Sequence, residues 1–145
     1  MSRKDQFHQV VRQALEKDGW LITHDPFPIQ ISETVTLKID LGAENTIAAQ
    51  RNQEKIAVEI KSFMTDSDIS EFHVALGQYL NYMQALEDKE PDRILYLAIP
   101  WETYGGFFQL PFIQKSLKRH AVNLIIYDPT KEEIKEWISY HNIGK

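Results

Sequence analysis

The stretch TVTLKIDLGAENTIAAQRNQEKIAVEIK, residues 34–61, contains two segments that alternate with period two. In the first, Val35, Leu37, Ile39 and Leu41 take one side, and Thr36, Lys38 and Asp40 the other. In the second, Ile56, Val58 and Ile60 oppose Ala57, Glu59 and Lys61. Successive side chains of a strand point to opposite faces, so this is the pattern of two half-buried β-strands. Asp40, Glu59 and Lys61 therefore leave their strands opposite the core-facing set. If the strands are neighbours, the three can meet.

Working outward, residues 4–18 carry Phe7, Val10, Val11, Ala14 and Leu15 at helical spacing, with Gly19 as a stop. Trp20 to Ile22 reads as a short extended segment, and His24-Asp25-Pro26-Phe27-Pro28 as a break. Val35 to Leu41 is expected to be one long strand, with a bend at Gly42, a strand or return over 46–50 and a turn over 51–53. Lys55 to Phe63 is the next strand. Ser67 or Asp68 caps a helix running to about Leu86, with Phe72, Leu76, Tyr79, Leu80 and Met83 as its stripe. Ile94 to Ile99 is apolar enough for a strand buried on both faces. Phe112 to Arg119 reads as helix and Val122 to Tyr127 as strand. Thr130, with Glu133 three residues on, predicts the capping box of a last helix, with Ile134, Trp137 and Ile138 as its apolar face.

An antiparallel first part followed by β-α-β crossovers predicts an α/β (α+β) fold. Its core is a mixed β-sheet flanked by helices on both faces, in a single domain over 1–145. The chain has 145 residues, no cysteine and a formal net charge of -5. The lack of cysteine excludes disulfides and thiolate chemistry. The acidity argues against a protein that coats nucleic acid by charge alone. No apolar run approaches membrane-spanning length, so no membrane partner is expected and the cytoplasm is the expected location.

Asp40 and Glu59 offer the hard oxygen ligands that Mg²⁺ or Mn²⁺ prefers, and the carbonyl of Ile60 can add a third. Such a cation acidifies water and neutralises charge on a phosphodiester. Lys61, on the side of Glu59, can orient that water or stabilise the developing charge. The same three side chains can equally be a solvated sheet face with a cross-strand ion pair. Lys115, Lys118, Arg119 and His120 can contact phosphates, or can simply favour a helix C-terminus. Trp101, Tyr104, Phe107 and Phe108 are denser than a loop requires, which fits core packing or an interface, either in a homodimer or with another protein.

The pattern resembles the PD-(D/E)xK nuclease superfamily, with Ile39-Asp40 in place of Pro-Asp and Glu59-Ile60-Lys61 as the ExK element. More widely, FHQVVRQALEKDGWLITHDP at the start, IDLGAE at 39–44, IAVEIKSF at 56–63 and EFHVALGQYLNY at 71–82 resemble the fdxN element excision controlling factor XisH family. This resemblance implies a restriction-endonuclease-like core and a role in programmed DNA rearrangement in cyanobacteria. It also implies DNA as a partner, together with a small XisI-like companion protein. By the same resemblance, Asp40 and Glu59 are the metal carboxylates and Lys61 the lysine of an endonuclease-like site. Gln78 matches the polar residue of the following helix. His8 stands where resolvase-like members carry a first-helix glutamate, and can ligate a metal or act as a base.

Overall fold

The computed structural model describes residues 3–47, 52–64 and 67–140. It opens with helix α1 (Arg3–Lys17), whose Phe7, Val10, Val11 and Leu15 face the sheet. The helix ends where Gly19 takes a φ of 92°, and Trp20 N–H donates to the Leu15 carbonyl at 3.0 Å. That i to i−5 bond over a left-handed glycine satisfies carbonyls that the last helical turn leaves open.

Strands β1 (Leu21–His24) and β2 (Phe27–Gln30) follow, then β3 (Thr36–Ile39), β4 (Leu41–Ile47) and β5 (Asn52–Ile60). Helix α2 (Asp68–Lys89) is capped by Ser67, whose side chain accepts from Ser70 N–H. It leads into β6 (Arg93–Pro100), the short helix α3 (Trp101–Gly105), a 3-10 turn at Phe107–Gln109, α4 (Pro111–Arg119), β7 (Leu124–Asp128) and β8 (Glu133–Ile138). The six-stranded sheet has the order β1-β4-β5-β6-β7-β8, and β2 and β3 form a separate antiparallel ribbon. The pairs β5·β6 and β6·β7 are parallel, and the outer pairs are antiparallel.

One apolar cluster joins α1 to one face of the sheet through Val11, Leu15, Leu41, Ile56, Val58, Ile125 and Tyr127. The other joins α2 and α4 to the opposite face and to the ribbon through Ile39, Ala57, Phe72, Tyr79, Leu97, Ile113 and Leu117. Each fully buried Leu, Ile or Phe contributes roughly 1.5–3 kcal/mol. The mixed sheet with helices on both faces is as expected. Among the described residues no helix is long and apolar enough to cross a membrane.

Three expectations need correction. Val35 to Leu41 is not one strand: the chain breaks at Asp40, between ribbon and sheet. Ile39 and Leu41 are both fully buried, but in opposite clusters. The face carrying Ala57 and Glu59 is not solvated, because α2 covers it. The last element is a strand, not a helix. Asp128 Oδ1 accepts from the N–H groups of Thr130 (2.9 Å) and Lys131 (3.1 Å), and this closes a hairpin turn instead of a helix cap. Ile134 sits opposite Tyr127 and Trp137 opposite Ile125, with a bulge at Lys135 between them. The extra residue places two side chains three apart on one face, which imitates helical spacing.

Other boundaries moved less. The break expected over 24–28 is confined to Asp25-Pro26, a cis peptide, since β2 starts at Phe27. Gly42 lies inside β4, where a Cβ would come within 2.7 Å of Phe27 Cδ2. Residues 48–51 lie outside those described, and Gln53, expected in a turn, belongs to β5. The stripe of α2 is Phe72, Ala75, Tyr79, Tyr82, Ala85 and Leu86. Phe107 and Phe108 pack on Phe63 and Phe72, and Tyr104 packs against the same cluster. Core packing therefore accounts for three of the four aromatics. Trp101 stays 43% exposed with Lys135 over its ring.

Candidate functional site

Asp40 stands at the fork where β3 leaves for the ribbon and β4 enters the sheet. The regular ladder to β5 stops there, and side chains take over its hydrogen bonds. Asp40 Oδ2 accepts from Ile60 N–H at 2.8 Å, and Glu59 Oε1 accepts from Asp40 N–H at 3.2 Å. The two carboxylates are thus bound crosswise to each other's strand. Lys61 N–H donates to the Ala98 carbonyl at 3.0 Å, which extends the β5–β6 pairing one residue beyond β5. Its Nζ lies 3.8 Å from Glu59 Oε2.

Glu59 is only 5% exposed. Burial first, and then the Asp40 charge, push its carboxyl from 4.5 up to about 8, while Lys61 pulls the other way. Tyr82, whose hydroxyl donates to the Lys38 carbonyl at 3.3 Å, is raised by burial and then by the charges of Glu59 and Asp40. Burial and then the Asp40 charge disfavour the ionised form of this carboxyl, and a bound cation would favour it.

Asp40, Ile60 and Lys61 line a cavity of about 190 Å³ together with His8, Lys4 and Glu71. Phe7 and Ser62 complete its wall. His8 comes from α1, and its Nε2 lies 2.7 Å from Asp25 Oδ1. Arg12 Nη1 donates to Asp25 Oδ2 at 2.6 Å. The imidazole is thus tied to a carboxylate that is itself paired. Gln78 does not line the cavity; its Oε1 is buried and without a partner among the described residues. It belongs to the spacing Glu71, Ala75, Gln78, Tyr82, which runs along α2 from the cavity to β3.

The oxygen donors fit a hard divalent cation. Asp40 and Glu59 supply carboxylates. The N–H of Ile60 points toward Asp40, and in a strand the carbonyl of a residue leaves the same edge as its N–H. The remaining positions would be left to water, as Mg²⁺ prefers. Among the described residues no three His, Cys, Asp or Glu side chains form a metal-ligand group, so any such site rests on two carboxylates and a carbonyl.

Reading the sequence missed Lys4, Arg12, Asp25, Ser62 and Glu71. A signal existed for two of them: Lys4 and Arg12 lie one turn either side of His8 on α1. Asp25 carried none, because a loop brings it back to the helix.

The family model described as XisH protein matches residues 1–135. The crystal structure of an XisH family protein from Nostoc punctiforme PCC 73102 is similar at 50% identity, with a TM-score of 0.85, covering 93% of this chain and 100% of that one. The crystal structure of a fdxN element excision controlling factor protein from Anabaena variabilis is similar at 49% identity, with a TM-score of 0.84, covering 93% and 99%. A search of the curated proteins finds no match.

Proposed function

The chain belongs to the XisH family, and on that premise we propose that it is an excision controlling factor that hydrolyses DNA phosphodiesters with the help of Mg²⁺ or Mn²⁺. The observation that carries this reading is the crosswise pair of Asp40 and Glu59, with the Glu59 carboxyl raised to about 8 beside Lys61. Asp40, Glu59 and the Ile60 carbonyl would hold the cation. When bound, it would supply positive charge for a phosphate and acidify water. Lys61, whose ammonium lies 3.8 Å from Glu59 Oε2, orients the attacking water and meets charge that develops on the phosphate. The covered face of β5 limits access from the α2 side, and the members of the site that line the cavity are Asp40, Ile60 and Lys61, so substrate would meet the site there, with Glu59 buried outside the lining.

The test is cleavage of linear, nicked and branched DNA with Mg²⁺ or Mn²⁺, with and without an XisI-like partner protein. Lys61→Ala and Glu59→Gln are expected to abolish cutting while the circular dichroism spectrum is retained. Cleavage that survives both substitutions refutes the mechanism.

One observation favours a second reading, a regulatory subunit that binds DNA or protein without cutting. His8 is tied to Asp25 instead of joining the carboxylates, which leaves the ligand set at its minimum. Calorimetric titration separates the two: no Mg²⁺ or Mn²⁺ affinity at millimolar concentration supports the regulatory reading.

A further inference from the structure

The α1 wall of the cavity is unlike the carboxylate wall. Lys4 and His8 are one helical turn apart on α1 and both line it, facing Lys61 and Ser62 at the exit of β5. Lys4, His8, Lys61 and Ser62 thus line a space of about 190 Å³ whose wall also includes the carboxylate residues Asp40 and Glu71. Lysines, a hydroxyl and an imidazolium are the donors that protein surfaces offer to phosphate oxygens. Asp25, itself bound by Arg12, holds the His8 ring, so the imidazole is placed before any ligand arrives. Arg12 also offsets the charge of Asp25, which would otherwise repel an anion at this wall.

We propose that the α1 side of this cavity is a phosphate subsite, in which Lys4 and His8 take a backbone phosphate of the nucleic acid opposite Lys61 and Ser62. This rests on the nucleic-acid reading above but not on cutting. The phosphate sits between the two walls: Lys61 serves both the subsite and the carboxylate pair, and Lys4 and His8 serve the subsite alone. Lys115, Lys118 and Arg119 on α4 line no part of this cavity. They make the natural control.

The experiment is fluorescence anisotropy of labelled duplex and branched DNA with the full chain in EDTA, over a salt series, so that cutting plays no part. Lys4→Gln is expected to lower the slope of log affinity against log salt by about 0.9. His8→Ala is expected to weaken binding severalfold at constant pH, because it removes a donor from the cavity wall. Lys118→Gln/Arg119→Gln is expected to keep the wild-type slope. Inorganic phosphate at millimolar concentration is the second arm: competition that vanishes in Lys4→Gln supports the subsite. Wild-type slope in Lys4→Gln together with wild-type affinity in His8→Ala, or no DNA binding by wild type at low salt, overturns it. Loss of binding in the α4 variant alone also overturns it, because the nucleic acid then lies elsewhere. A chain that binds through Lys4 and His8 but never cuts refutes the hydrolytic reading and leaves the subsite standing. One that cuts with binding indifferent to both residues does the reverse.

Discussion

The buried carboxyl of Glu59 makes a prediction about stability that needs no substrate. An acid whose folded pKa exceeds its unfolded value keeps its proton in the native state after the unfolded chain has released it. Between pH 4.5 and about 8 the native state therefore binds more protons at this group, and stability falls as pH rises. Each decade is worth about 1.4 kcal/mol, so ionising Glu59 costs the fold several kcal/mol by pH 8 and nothing below pH 4.5. Glu59→Gln keeps an oxygen to accept from Asp40 N–H and removes the ionisation. Urea denaturation of both proteins in EDTA, from pH 5 to 8.5, gives a difference in which titrating groups distant from Glu59 cancel. The variant should gain on wild type by about 1.4 kcal/mol per pH unit, levelling off above pH 8. A stability difference that stays flat across that range refutes the reasoning, since Glu59 then carries no raised pKa. Mg²⁺ in the millimolar range should narrow the difference by stabilising wild type alone.

Three further outcomes follow from packing. Gly42→Ala puts a Cβ within 2.7 Å of the buried Phe27 ring, and should lower stability by about 1–3 kcal/mol in thermal melts. Tyr79→Phe removes a hydroxyl that donates to the Leu95 carbonyl at 3.1 Å and accepts from Asn123 N–H at 3.0 Å. The groups left behind are buried, so urea denaturation should register a loss of about 1–3 kcal/mol. Phe63, buried at a φ of 56° just after Lys61 and Ser62, is held by Phe107 and Phe108. Phe63→Ala should cost about 3–5 kcal/mol by the same assay, and hydrogen exchange should rise at Lys61.

What could be read from the chain alone depended on how far each signal had to travel. Ile94 to Ile99 and Ile56 to Ile60 were legible because a strand buried in a sheet writes its environment into its own residues. So was α1, whose apolar face repeats within a turn. The last strand was not, because its bulge turned a period of two into a spacing of three between Ile134 and Trp137. Nothing within Glu133–Ile138 marks the bulge. It is defined against β7, which is the partner the pattern does not contain. The hold of Asp25 on His8 is the same case: the contact spans 17 residues, and neither neighbourhood implies the other.

Asp40 is the case in which one residue both misleads the pattern and makes the site. Ile39 and Leu41 are two apart, so period two assigns them to one face, yet they enter opposite clusters. The chain reverses its facing at Asp40 because β3 and β4 belong to different sheets. That departure frees the Ile60 N–H from any ladder partner, and the Asp40 carboxylate takes it. Glu59 closes the same gap from the other side through Asp40 N–H. The interruption of the strand and the meeting of the carboxylates are therefore one structural event. A residue with an apolar side chain at position 40 would leave the fork without the acceptor that binds β5. It would also leave Glu59 without the like charge that helps raise its pKa. The alternation placed Asp40, Glu59 and Lys61 together for an incomplete reason: they converge because the regular sheet ends there.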